Sequence, residues 1–214
     1  MINNPYIDLV WQDKHILNTL PEIYENKWKW NDFFQNDNEI YLEIWTGLWN
    51  FFSKESFENP TKNFIWMEIR YKRLFKTAEK SRNLWVENFV VIKDFWQNID
   101  KIFTENEISK VYIFFPDPWE NKDRQKKHKL MQMEFLDKLY FVLKKWWKVC
   151  FKTDHKWYFD DTIELLKEQN KFKISFLSYD YENESEVFDK QKLTEFESMF
   201  RWDRMKINYV ELEK

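Results

Sequence analysis

Short apolar runs with period-two alternation recur along this chain, and longer stretches of helical periodicity separate them. The runs at 39–44 (EIYLEI), 63–69 (NFIWMEI), 88–93 (NFVVIK), 110–115 (KVYIFF), 147–153 (WKVCFKT), 172–178 (FKISFLS) and 205–212 (MKINYVEL) read as strands. Helical patterns fall near 47–58, 70–82, 97–105, 128–145 and 158–169. Met131, Met133 and the aromatics between Phe135 and Leu143 are spaced as a core-facing helix stripe, not a cofactor box. Strands alternating with helices predict βαβ units and a mostly parallel sheet. Right-handed crossovers then place helices on both faces. A polar, aromatic-dotted stretch, 1–38, precedes the first strand, and 180–198, rich in Glu, Asp, Asn and Lys, reads as a loop with a short helix. No repeat or low-complexity linker divides the chain. It is read as an N-terminal lead-in, 1–30, followed by one α/β domain, 31–214.

In open sheets of this kind, ligands sit beyond the carboxyl ends of the strands. The residues there are Glu43, Glu68, Asp94, Asp117 and Asp154, one after each of the first five strands. Any one alone fits a helix cap or a solvated turn. Together they describe a carboxylate-lined crevice, suited to a ligand with hydroxyls and positive charge.

Composition narrows the class. Hydrophobic content of 43% with 33% charged residues is globular. No apolar run reaches the length of a membrane span, and Met1 to Pro5 lacks the basic and apolar parts of a signal peptide. The single cysteine, Cys150, lies inside an apolar strand and reads as a buried thiol. A cytoplasmic compartment is expected. The net charge of −3 means that any nucleic-acid contact must come from a local patch. His15 and His155 have no partners at metal-ligand spacing, so no metal is expected. Monomer and homodimer both remain open.

One imbalance stands out. The chain has 13 Trp and 1 Gly, whereas ordinary usage would give roughly 15 glycines. The stretch Glu43-Ile44-Trp45-Thr46-Gly47-Leu48-Trp49-Asn50 follows the first strand. With Gly at 45 and 49 it becomes the glycine-rich turn that lets a backbone approach a nucleotide. Trp146-Trp147 stands where a Gly-Gly pair would stop a helix. Two readings follow: the protein is Trp-rich, or its gene uses UGA for glycine and was translated with UGA as tryptophan. Trp28, Trp45, Trp49, Trp66, Trp146, Trp147, Trp157 and Trp202 fall on turn or glycine positions, whereas Trp11, Trp85 and Trp96 have no firm place.

The fourth strand ends Phe114-Phe115-Pro116-Asp117-Pro118-Trp119, followed by a run containing Lys122, Arg124, Lys126, Lys127, His128 and Lys129. Phe151-Lys152-Thr153-Asp154 closes the fifth strand, and Thr194-Glu195-Phe196-Glu197 precedes the last. These motifs, in this order over about residues 25–212, resemble the bacterial tRNA (guanine-N7-)-methyltransferase family. Trp30 and Trp119 match tryptophans of that pattern.

The resemblance implies a Rossmann-like class I methyltransferase fold, with a seven-stranded mostly parallel sheet whose last strand is antiparallel. It implies S-adenosylmethionine as methyl donor and N7 of a variable-loop guanine (position 46) in tRNA as acceptor. Cofactor contacts would fall on Glu43, Trp45, Gly47, Glu68, Asp94 and Asp117, and Asp117 would also be the catalytic-site aspartate. Lys122, Asp154, Thr194 and Glu197 would bind substrate. Arg124, Lys126, Lys127 and Lys129 are read as RNA phosphate contacts. The chain departs from the pattern at one point: ungapped, Phe95 falls on the expected aspartate, and a one-residue deletion brings Asp94 there. Glu120 and Asp123 also interrupt the basic run. The competing readings are a class I methyltransferase with another substrate, an RNA-binding scaffold whose indoles fill the crevice, and a peripheral membrane protein anchored through Lys144–Lys148.

Overall fold

The computed structural model describes residues 4–44, 50–119, 129–184, 193–203 and 205–214. Eight strands form one sheet: β1 (Ile16–Leu17), β2 (Glu39–Ile44), β3 (Lys62–Met67), β4 (Phe89–Ile92), β5 (Ile108–Phe114), β6 (Leu143–Thr153), β7 (Lys173–Ser178) and β8 (Asn208–Glu213). Their spatial order is β1-β4-β3-β2-β5-β6-β8-β7. β8 runs antiparallel to both β6 and β7, and the remaining pairs are parallel. Without β1 this is the seven-stranded, doubly wound arrangement expected, with the winding reversing between β2 and β5.

The eighth strand comes from the N-terminal segment. The Val91 amide donates to the His15 carbonyl at 2.8 Å and the Lys93 amide to Leu17 at 2.9 Å, adding β1 to the edge of β4. Two residues are too short to show a period, so the pattern does not reveal this strand. The same segment carries α1 (Tyr6–Gln12), α2 (Leu20–Tyr24) and α3 (Trp30–Phe34), and it buries Val10, Ile16, Ile23 and Trp30. The lead-in therefore contributes to the core.

Alternation explains why the sheet is buried on both faces. In β3, Ile65 and Met67 pack into one core cluster while Phe64 and Trp66 pack into the other. Near-continuous apolar runs are what a parallel sheet sandwiched by helices requires. The covering helices are α4 (Asn50–Glu58), α5 (Tyr71–Asn83), α6 (Ile99–Ile102), α7 (Met133–Val142) and α8 (Lys156–Glu168), with α9 (Tyr181–Glu184) and α10 (Glu195–Trp202) beside the last strands. Phe135, Leu136, Leu139 and Val142 form the buried stripe of α7. This helix stops three residues short of the sequence expectation. Its last carbonyls, Phe141 and Val142, accept the Asn106 and Glu107 amides at 3.0 and 2.9 Å, and the chain turns directly into β6. Cys150 is buried, and burial pushes its thiol pKa up.

Candidate active site

Parallel register brings the carboxyl ends of β2 to β6 to one edge. Ile44 pairs Met67, Met67 pairs Ile92, Ile44 pairs Ile113 and Phe114 pairs Lys152. Glu43 lies at the end of β2, and Glu68, Asp94, Asp117 and Asp154 follow just after the other four strands. A cavity of about 200 Å³ opens there, lined in part by Ile44, Met67, Glu68, Asp94, Trp96 and Trp119. A larger cavity, about 880 Å³, lies at the opposite end of the sheet, around His15, Asn36 and Asn88, and none of the five strand-end carboxylates lines it. Chemistry, not size, marks the smaller one.

Each carboxylate sits in a distinct environment. The Glu68 Oε1 accepts the Ile69 and Arg70 amides at 2.7 and 2.9 Å, and its Oε2 lies 3.4 Å from the Arg73 guanidinium. The Asp94 Oδ1 accepts the Phe95 amide at 2.7 Å and the Asn98 amide side chain at 2.8 Å. Asp94 is buried and Phe95 is 55% exposed, and both line the cavity. The structure thus keeps a buried aspartate beside the cavity despite the shifted alignment. Its Oδ2 and the Gln97 Oε1 are buried without a close hydrogen-bond partner among the described residues, and the Tyr24 hydroxyl lies near the Asp94 carboxylate. Two buried acceptors on residues that line one cavity fit a ligand that brings N–H or O–H donors. Burial, followed by the nearby Asp94 charge, raises the Tyr24 hydroxyl to about 12.

Glu43 is 6% exposed; burial, and then the charge of Glu68, push its pKa up to about 8. A folded-state pKa above the free value of 4.5 means that unfolding releases a proton at intermediate pH. Stability from this group is full below pH 4.5 and declines until pH 8. At pH 7 the loss is roughly 3 kcal/mol, at 1.36 kcal/mol per pH unit. Glu43→Gln is expected to flatten the fall in Tm between pH 5 and 8. Parallel Tm–pH curves for the two proteins would exclude this protonation.

Around Asp117, Phe115 and Trp119 both take left-handed backbone, with φ of 53° and 55°. For Phe115 this is doubly unfavourable because a proline follows. Left-handed non-glycine residues cost about 1–3 kcal/mol each, and such strain gathers at functional sites. Pro116 and Pro118 stiffen the same turn. Asp154 is largely buried, and burial raises its pKa against the pull of His155, whose Nε2 lies 3.6 Å away.

Other expected site residues have structural partners. Lys129, read as a phosphate contact, pairs its ammonium with Asp161 and lies over the Tyr158 ring at 4.8 Å, with the side chain 13% exposed. It is a clamp between segments, and its charge is already engaged. The Thr194 Oγ1 accepts the Glu197 amide at 2.9 Å, capping α10. Glu197 is fully buried, 3.2 Å from the Lys152 ammonium. The Phe114, Tyr181 and Tyr209 rings surround that ammonium at 4.8, 4.6 and 5.6 Å. The motif Phe151–Asp154 gives Lys152 no role of its own; the signal for one is a cation in the apolar run VCFKT. Trp45, Gly47, Lys122, Arg124, Lys126 and Lys127 lie outside the described residues. Among the described residues, no group of three or more His, Cys, Asp or Glu side chains could hold a metal, and no helix is long and apolar enough to cross a membrane.

Sheet order, an antiparallel last strand and a cavity at the carboxyl ends of β2 to β5, lined by Glu68 and Asp94, define a Rossmann-like class I methyltransferase. A family model described as "Putative methyltransferase" matches residues 37–210. The chain is 34% identical over 180 residues to a tRNA (guanine-N(7)-)-methyltransferase of Clostridium acetobutylicum, covering 84% of this chain and 82% of that protein. It is 36% identical over 191 residues to a "Bifunctional glycosyltransferase/methyltransferase" of Fusobacterium nucleatum; this covers 89% of the chain but only 29% of that longer protein. A putative methyltransferase from Streptococcus mutans, solved in complex with SAH, shares the fold with a TM-score of 0.53 and 16% identity over 86% of this chain and 94% of that one. The chain belongs to the tRNA (guanine-N(7)-)-methyltransferase family.

Proposed function

We propose that the chain transfers a methyl group from S-adenosylmethionine to N7 of a guanine in tRNA, the variable-loop guanine at position 46, in the cytoplasm. The observation that carries this is the pair of buried acceptors after β4, beside the cavity at the carboxyl ends of the strands. Asp94 Oδ2 and Gln97 Oε1 suit the adenine amine, and Glu68 at the second strand end suits the ribose hydroxyls. Glu43, whose pKa burial and the Glu68 charge push up, gains a cationic partner when the amino group of the donor approaches. The bound cofactor supplies an electrophilic methyl on a sulfonium.

Guanine N7 carries a lone pair and no proton, so the chain needs no general base. Its task is to hold the base in line with the methyl group. Asp117, fixed between two prolines, orients the base and balances charge. Asp154 accepts from guanine N1–H and the exocyclic amine, which selects guanine over adenine. Lys122, Arg124, Lys126 and Lys127 meet phosphates, giving affinity without sequence information. Thr194 and Glu197 shape the substrate side of the site through α10.

The test is transfer of a labelled methyl group to unmodified tRNA, followed by nucleoside analysis. The chain as it stands is run beside one with glycine at 45 and 49. Label recovered as 7-methylguanosine is expected. Cofactor binding without label in tRNA would point to another substrate.

A further inference from the structure

The backbone has places where only a residue without Cβ sits at ease, and tryptophan fills several of them. Among the described residues, seven non-glycine residues have positive φ, and four are tryptophans: Trp28, Trp85, Trp119 and Trp146. Tryptophan is a poor candidate for this conformation, in which Asn, Asp and above all Gly are enriched.

Three of the four lie in motifs that call for glycine. Trp85 (φ 58°) follows α5. Its amide donates to the Arg82 carbonyl at 2.9 Å, and the Val86 amide donates to Ser81 at 3.0 Å. This pair of bonds is the Schellman ending of a helix, and the left-handed residue within it is most often glycine. Trp146 (φ 69°) stands opposite the end of β8. Its amide donates to the Lys214 carbonyl at 2.9 Å, and the Lys214 amide returns to Trp147 at 3.2 Å, so two residues oppose one. That is a β-bulge whose first residue is left-handed, a position held by glycine in the G1 type. Trp28 (φ 75°) is the third residue of a turn closed by the Lys29 amide on the Asn26 carbonyl at 2.8 Å, again a glycine place. All three indoles are 71–88% exposed.

A fourth position gives an independent sign. Trp66 is wholly buried in β3, and its indole N–H has no hydrogen-bond partner among the described residues. Trp30, equally buried, donates its indole N–H to the Ile102 carbonyl at 3.1 Å and packs edge-on against Phe33. Trp66 also packs edge-on, against Phe52 and Phe89 at 5.2 and 5.1 Å, so what separates the two is the indole N–H, paired in Trp30 and unpaired among the described residues in Trp66. Trp119 shares the left-handed φ, but so does Phe115, and both belong to the strained turn around Asp117.

We propose that Trp28, Trp66, Trp85 and Trp146 are glycine in the protein made by its own host, encoded by UGA codons that the host reads as glycine. Trp30 and Trp119 are true tryptophans with UGG codons. By the same codon rule, Trp45 and Trp49 are glycine, and residues 43–50 then read E-I-G-T-G-L-G-N.

Peptide mass spectra of the host-made protein, read beside the codons of its gene, decide this. Glycine at 28, 66, 85 and 146 with tryptophan at 30 and 119 is the expected result. Tryptophan at 85 or 146, or UGG codons there, overturns it. A second test uses the chain as it stands. Trp28→Gly/Trp85→Gly/Trp146→Gly is expected to raise Tm by about 5–10 °C through relief of left-handed strain, whereas Trp30→Gly lowers it. No rise in the triple variant would overturn the backbone argument. Neither readout involves methyl transfer, so the outcome is independent of the proposed activity.

Discussion

Asp117→Asn is expected to lower the rate of methyl transfer to tRNA by about 10²–10³, the size of effect seen when one preorganised electrostatic contact is removed from a reacting centre. The methyl group leaves a sulfonium and arrives on a neutral base, so positive charge moves from sulfur to the guanine ring. A carboxylate beside the ring follows that charge and stabilises the transition state more than the bound ground state. Asparagine keeps the shape and one acceptor oxygen but loses the charge. The expected signature is a fall in kcat with cofactor affinity, measured by calorimetry, within about tenfold of the parent. A residual rate near that of the parent would remove Asp117 from the reaction. The strained turn makes the same point structurally: Phe115 and Trp119 hold left-handed backbone on either side of this residue, and the rest of the fold maintains that strain.

The strands and the edge carrying the site were legible because both rest on local pattern. Apolar runs ended in acidic residues, and a parallel sheet sends all those ends to one side. Partners set by tertiary contact were not legible. Thr194 and Glu197 read as substrate ligands in a motif. In the structure Glu197 pairs with Lys152, 45 residues earlier in the chain. Nothing local to either residue predicts that pairing. Trp85 had no place in the sequence pattern because its role depends on two backbone bonds closing α5, visible only once the helix end is known. The eighth strand was invisible for a related reason: two residues carry no period, and β1 exists only because the edge of β4 accepts it.

Lys152→Met is expected to destabilise the protein by about 3 kcal/mol, because removing one member of a buried ion pair leaves the other carrying its desolvation cost. Glu197 is fully buried and the Lys152 side chain is 6% exposed, so water cannot take the ammonium's place without opening the core. Three aromatic faces add attraction for the cation that methionine does not replace. Tm should fall by roughly 10 °C for a chain of this size. Adding Glu197→Leu to Lys152→Met should recover much of that loss, since an apolar pair of similar volume carries no buried charge. Equal losses in the single and double variants would show that Lys152 acts through packing alone. Activity should respond separately. Lys152 is in register with Phe114, and its carbonyl accepts the Phe115 amide at 2.9 Å, directly before the turn that holds Asp117. The double variant is therefore expected to regain stability without regaining full turnover, because α10 loses the charged contact through which Glu197 anchors it to the end of β6.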